Sequence, residues 1–413
     1  MIQGGQRLEG RITVEGNKNA ALPLMAACLL TDQACVLTNV PRIRDVDVMA
    51  ALLADLGAEI DGIGTSTLHI RCATVTKDEP DAALVGRLRG SVLLIGPLLA
   101  RRGRARLAAP GGDFPTRRTL ATHIQALAAM GARLADGPGP TFEAPDGLKP
   151  TSIYLEEASV TGTETALLAA AAAPGVTDLR HAACEPHVVE VCRFLETLGA
   201  GIEGAGSSTI RVHGGARLGG GSHRLNGDYL EAGSWGVVAA VTRGAVEVAG
   251  ARGEDLEPLT SVLQRMRVQC RLDGDLLRVE PSVPAGLGRL ATGLWPGFPS
   301  DFVSLIAVLA TQAAGRTLIH DWMYELRLFA LEQLSGMGAD FFLCDPHRII
   351  VTGPAKLRGK ALDSRDIRSG MALIAAALAA NGQSRVEPLE TVERGYGTLV
   401  ERLQSLGAHV ARV

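Results

Sequence analysis

Apolar residues fall at helical spacing in two kinds of stretch along this chain, and each kind returns after about 70 residues. The first kind is amphipathic and closes on Leu-Gly-Ala or Met-Gly-Ala. It reads LADLGAEI at Gly57, LAAMGARL at Gly131, LETLGAGI at Gly199, LSGMGADF at Gly338 and LQSLGAHV at Gly407. A degenerate copy, LQRMRVQC, has Arg267 in the glycine position. In VDVMAALLADLGAEI the pattern predicts a helix that Gly57 ends as a C-cap. Short alternating runs follow and predict two strands around a polar turn, as in GIEGAGSSTIRVHG and ADFFLCDPHRIIVTG. The second kind is rich in alanine and apolar nearly all round: NAALPLMAACLL, GSVLLIGPLLA, TETALLAAAAA, EAGSWGVVAAV, DFVSLIAVLAT and SGMALIAAALAA. A helix with no polar face belongs inside a domain.

The chain is therefore six copies of one α/β unit, each with two helices and several short strands. The simplest packing puts the apolar helices inside a ring of small sheets. Six repeats also suit an elongated solenoid, but solenoid units are usually about 20 to 50 residues long. Units of this size can bury a core in groups of three and so make two globular domains. The length, 413 residues, agrees with two domains.

Composition narrows the function. The net charge of −3 comes with no basic run, which argues against nucleic acid. The start, MIQGGQRLEG, lacks the pattern of a signal or transit peptide. The alanine-rich helices, of about 12 residues, are too short to span a bilayer. Seven cysteines are scattered without a CxxC pair, and nine histidines are dispersed. Neither a disulfide framework nor a zinc site is indicated. The expectation is a soluble cytoplasmic protein, a monomer, with no cofactor, no metal, no nucleic acid and no membrane partner.

Cations stand where helices should repel them. Lys18 precedes the first alanine-rich helix, with Asn19 as the expected N-cap. Arg87 and Arg89 precede GSVLLIG, Arg117 and Arg118 precede TLATHIQALAAM, and Arg365 and Arg368 precede SGMALIAAALAA. A cation at a helix N-terminus opposes the macrodipole. Solvated surface arginines would explain one case, whereas four cases in register predict an anion bound at helix N-termini. Asp301 opens another such helix, in WPGFPSDFVSLIAVL. It reads as a simple N-cap, or, in cationic company, as a base for a hydroxyl. The loop AAPGGDFPTRR reads as a surface connection or as a lid that carries Asp113 to the anion.

These residues in this order resemble the enolpyruvyl transferase family, end to end, and most closely its branch that uses UDP-N-acetylglucosamine. The motifs that carry the likeness are GNKNAALP, NVPRIRDVDVM, APGGD, GFPSD and ERGYGTLVERLQSLGA. The resemblance implies a two-domain inside-out α/β barrel of six βαβαββ repeats. One domain would be discontinuous, residues 1–17 and 227–413. The other would be 18–226, with the lid at 109–120. The substrate would be phosphoenolpyruvate, its enolpyruvyl group passing to the 3′-hydroxyl of UDP-N-acetylglucosamine with release of phosphate, in peptidoglycan precursor synthesis. Lys18, Arg89 and Arg118 would bind the phosphate of phosphoenolpyruvate, and Arg327, Arg368 and Arg394 its carboxylate. Asn19 and Asp301 would contact the acceptor sugar, with Asp301 near the reacting hydroxyl. Ser159 and Val160 would also bind substrate. Lys18, Asp113, Asp301 and Arg394 are the expected catalytic set.

Two departures matter. The lid residue that helps protonate the enol carbon is usually cysteine, the target of the epoxide antibiotic fosfomycin, and here it is Asp113. This implies resistance, because a carboxylate is the poorer nucleophile. The nucleotide side also differs from the family pattern at Ala121, Glu157, Cys184 and His187 and in the run Gly227-Asp228-Tyr229-Leu230-Glu231-Ala232-Gly233. Three readings stay open: the peptidoglycan enzyme, an enolpyruvyl transferase acting on another nucleotide or sugar hydroxyl (UMP-like, for example) in specialised metabolism, and a non-catalytic homologue.

Overall fold

A computed structural model describes residues 1–111, 119–135, 139–324 and 327–412. The chain forms two compact units. One is continuous, Gly16–Asn226, and the other joins Met1–Glu15 to Gly227–Val413. Two of the expected site residues, Asp113 and Arg118, and most of the expected lid lie outside the described residues.

All six repeat phrases end their helices in the same way. Gly57, Gly131, Gly199, Gly338 and Gly407 have φ between +87° and +110°, and Arg267 is forced to +62°. At Gly57 the amide donates to Ala54 O, and the next amide, Ala58, donates to Leu53 O, both at 3.0 Å. This pair of bonds satisfies the last carbonyls of the helix and turns the chain into the following strand. The same pair recurs at the other five sites, Arg267 included. The fifth helix, Arg327–Met337, is wound as a 3-10 helix. The other five are α-helical before the turn.

The alanine-rich helices form the interior. All thirteen residues of Tyr229–Val241 are buried, as are Gly162–Ala171 of Val160–Ala172 and Val303–Thr311 of Val303–Gln312. Each unit has its own apolar core. Among the described residues, each unit also carries three small sheets whose strands alternate buried and exposed residues, as in Thr67–Arg71 and Gln383–Glu387, so one face covers the helices. This is an inside-out α/β arrangement. Among the described residues, five sheets have four strands, and the sixth, built from Arg104–Arg106, Thr141–Glu143 and Arg133–Ala135, has three.

The two crossings of the chain each separate the first strand of a repeat from the rest of it. Glu9–Thr13 pairs in parallel with Ala245–Ala249, so the first strand of that repeat precedes the whole continuous unit. Gly221–Arg224 pairs in parallel with Ala34–Thr38 and supplies from far along the chain the first strand of the opening repeat. Ile2–Gln3 completes the last sheet, between Gln383–Glu387 and His409–Val410.

Candidate active site

In the continuous unit the helix starts gather. Helix Lys18–Ala27 packs against the turn Arg89–Leu94, where a Cβ on Gly90 would stand 2.9 Å from Leu22 Cδ1. Helix Ala121–Ala129 packs against the start of Val160–Ala172, where a Cβ on Gly162 would stand 2.8 Å from Thr122 Cγ2. His123 ties the group together. Its Nδ1 pairs with Thr165 Oγ1 at 2.9 Å and its Nε2 with Thr161 Oγ1 at 3.1 Å. Burial and the nearby Arg89 guanidinium push its pKa down to about 4, so the ring is neutral near pH 7.

Lys18 opens its helix, and its ammonium lies 2.6 Å from Asp45 Oδ2, a nearly buried carboxylate. The N-cap is Asn17, which corrects the expectation for Asn19. Asn17 has an extended backbone, and its Oδ1 accepts from the Asn19 amide at 2.8 Å. Ser159 caps Val160–Ala172 by accepting from the Gly162 amide at 3.2 Å, and Val160 is the first helical residue. Lys18 and Arg89 therefore stand among converging helix N-termini, the arrangement that favours an anion. Arg87 is exposed, as a solvated surface cation would be.

In the discontinuous unit a second cluster forms. Arg368 lies in the first turn of Ile367–Ala379, whose N-cap is Asp366. Its Nε donates to Asp301 Oδ1 at 2.8 Å, and its Nη1 donates to Tyr396 Oη at 3.3 Å. Tyr396 Oη in turn lies 2.8 Å from Ser234 Oγ on helix Tyr229–Val241. Despite burial, the carboxylates of Asp301 and Asp228 hold Arg368 firmly protonated, and burial raises the Tyr396 phenol. Arg394, half-buried, sits on the same helix as Tyr396, Leu389–Tyr396. Asp301 is not an N-cap. It sits within the 3-10 turn Ser300–Phe302, and its carboxylate accepts from Arg368. Its side chain is 35% exposed, so an incoming hydroxyl can reach it. Arg327 Nη1 donates to Ser300 Oγ at 2.7 Å, and its guanidinium covers the Tyr324 ring at 4.3 Å. Arg365 pairs with Asp363 on the surface, at 2.7 Å, and takes no part.

Several residues of these clusters escaped the sequence reading: Asp45, His123, Ser234, Ser300 and Tyr396. Tyr396 and Asp45 lie inside motifs already singled out, ERGYG and RIRDVDVM. Ser300 lies inside GFPSD, and His123 and Ser234 lie inside the helical stretches TLATHIQALAAM and EAGSWGVVAAV. Which of these residues meet carries no signal in spacing, because long-range packing brings them together.

The family model described as EPSP synthase (3-phosphoshikimate 1-carboxyvinyltransferase) matches residues 2–403. The chain is 43% identical over 421 residues to the UDP-N-acetylglucosamine 1-carboxyvinyltransferase of Bradyrhizobium diazoefficiens, covering 100% of this chain and 97% of that one. It is 41% identical to the protein of the same name from Treponema denticola, covering 99% and 98%. Among solved structures, the enolpyruvyl transferase NikO from Streptomyces tendae superposes with a TM-score of 0.88 at 26% identity, covering 98% of this chain and 97% of that one. The EPSP synthase of Acinetobacter baumannii shares the fold, with a TM-score of 0.77 at 20% identity over 100% of this chain and 99% of that one. The chain belongs to the EPSP synthase family of enolpyruvyl transferases and is an enzyme of the transferase class. Among the described residues, no helix is long and apolar enough to cross a membrane.

Proposed function

We propose that this enzyme transfers the enolpyruvyl group of phosphoenolpyruvate to the 3′-hydroxyl of UDP-N-acetylglucosamine, in the cytoplasm and as a monomer, for peptidoglycan precursor synthesis. The observation that carries the reading is the Arg368–Asp301 pair, an accessible carboxylate held by a less exposed guanidinium. The full-length likeness to enzymes named for this reaction supports it.

Phosphoenolpyruvate carries two anionic groups, and charge-assisted bonds to Lys and Arg suit both. Lys18, Arg89 and Arg118 take the phosphate. Arg327, Arg368 and Arg394 take the carboxylate, and Ser159, Val160 and Asn19 contact the acceptor. Asp113 gives a proton to the methylene carbon, which makes the adjacent carbon electrophilic. The acceptor hydroxyl attacks that carbon as Asp301 takes its proton, and a phosphate-bearing ketal forms. Loss of a methyl proton and of inorganic phosphate restores the double bond and leaves the enol ether. For Asp113 to act as the acid its pKa must lie above the usual carboxylate range, which requires exclusion of water.

A second reading, another nucleotide or sugar hydroxyl as acceptor, is favoured by Glu157. This exposed acid lies two residues before the Ser159 cap and opposes a diphosphate there. Mass spectrometry of the product formed with UDP-N-acetylglucosamine tests the choice. A UDP-sugar enol ether supports the first reading, and unmodified sugar nucleotide supports the second.

A further inference from the structure

Asp321 follows strand Gly315–His320 and is fully buried. Its backbone is clamped on both sides. The Asp321 amide donates to His347 O at 2.8 Å, and Asp321 O lies 2.8 Å from His347 Nδ1. Both carboxylate oxygens are used: Oδ1 accepts from Thr292 Oγ1 at 3.1 Å and Oδ2 from Ser300 Oγ at 2.6 Å. The same Ser300 hydroxyl accepts from Arg327 Nη1 at 2.7 Å.

A hydroxyl has one proton and two lone pairs. Arginine only donates, so Ser300 accepts from Arg327 with a lone pair and points its one proton at Asp321 Oδ2, which accepts it as a hydrogen bond. Ser300 is buried and cannot easily turn away. The guanidinium is then fixed at one N–H by Ser300 and across one face by the Tyr324 ring. Arginine binds a carboxylate through a rigid planar fork, so the plane in which it is held decides whether it can bind with two bonds.

We infer that Asp321 is a positioning residue that sets, through the single hydroxyl of Ser300, the orientation in which Arg327 meets the carboxylate of phosphoenolpyruvate. The inference rests on the reading of Arg327 proposed above. The competing role is structural: Asp321 would merely join Thr292 to its own strand.

The test varies phosphoenolpyruvate at saturating UDP-N-acetylglucosamine and measures phosphate release by the wild type, Ser300→Ala, Ser300→Thr and Asp321→Asn, with unfolding midpoints for each. Ser300→Ala should raise the KM for phosphoenolpyruvate by about tenfold or more, the scale of a lost hydrogen bond to a charged group. Ser300→Thr keeps the hydroxyl and should restore the wild-type KM. Asp321→Asn can offer its amide to the Ser300 oxygen and turn the hydroxyl proton toward Arg327, so it should raise KM as well. Its effect should not add to that of Ser300→Ala in the double variant. Should Ser300→Ala fail to fold, Asp321→Asn and Ser300→Thr carry the comparison. Lowered unfolding midpoints with the KM unchanged in every folded variant would overturn the inference and leave the structural role. No phosphate release by the wild type with any nucleotide acceptor would instead sink the reading of the site, and the inference with it.

Discussion

Arg368 Nε and Asp301 Oδ1 lie 2.8 Å apart, although the two residues are 67 positions apart in sequence and start different helices. The guanidinium is the more buried partner, and the carboxylate keeps an open side. A base held in this way is oriented before any acceptor arrives, so little rearrangement is left for the reaction itself. Asp301→Asn keeps an oxygen for Arg368 but cannot take a proton. It should reduce turnover by ~100- to 10,000-fold, the usual range for a lost general base. Arg368→Lys keeps the charge and loses the planar fork, so it should raise the KM for phosphoenolpyruvate. Steady-state kinetics of the two variants check this; near-normal turnover by Asp301→Asn would remove Asp301 from the chemistry.

Asp113 predicts the response to fosfomycin. A carboxylate is a weak nucleophile toward an epoxide, so the wild-type enzyme should keep its activity after prolonged incubation with the drug. Asp113→Cys should become time-dependently inactivated, with covalent adduct visible by intact-mass measurement. Inactivation of the wild type would contradict the assignment of Asp113 to the position of the usual cysteine.

His123 predicts an acid-sensitive fold. Its pKa is pushed down to about 4 in the folded enzyme, first by burial and then by Arg89. The unfolded chain titrates near 6.5 and so binds more protons between those values. The contribution of His123 to stability is fully present above about pH 6.5 and falls by up to ~3 kcal/mol as the pH drops toward 4. Unfolding midpoints of the wild type should fall over this range, and those of His123→Gln should fall less. Parallel profiles would exclude His123 as the source.

Glu164 predicts the opposite slope. It is fully buried in helix Val160–Ala172, its Oε1 has no hydrogen-bond partner among the described residues, and burial together with the Glu185 carboxylate pushes its pKa well up. The folded state holds it protonated, while the unfolded chain ionises it above about pH 4.3. Its cost to folding therefore grows as the pH rises from there. Glu164→Gln should be more stable than the wild type in denaturant melts at pH 7.5, with the difference shrinking toward pH 4. A pH-independent difference would mean that Glu164 is ionised in the folded enzyme.

The repeat was legible because its signal is local. Each left-handed turn after a helix wants glycine, and five of six sites have it at φ between +87° and +110°. The sixth, Arg267, was still recognisable because the flanking apolar pattern persists, and it forms the same two hydrogen bonds. The alanine-rich helices were placed in the interior for a similar reason, since they have no polar face to show to water. Cap positions were read less well. Asn17 and Asn19 are both good caps by type, and only backbone geometry selects Asn17. The polar links behind the candidate site were not legible at all. Asp321 and Ser300, like Tyr396 and Ser234, meet through tertiary packing, and no sequence period records such meetings.

Phosphate release from phosphoenolpyruvate, followed continuously with UDP-N-acetylglucosamine, UMP and other nucleotides offered separately as acceptors, tests the central claim most directly. Rapid release that depends on UDP-N-acetylglucosamine, and is lost in Asp301→Asn, is the predicted result. Release only with a different acceptor would contradict it, and would mean that Ala121, Glu157, Cys184 and His187 belong to a rebuilt acceptor site.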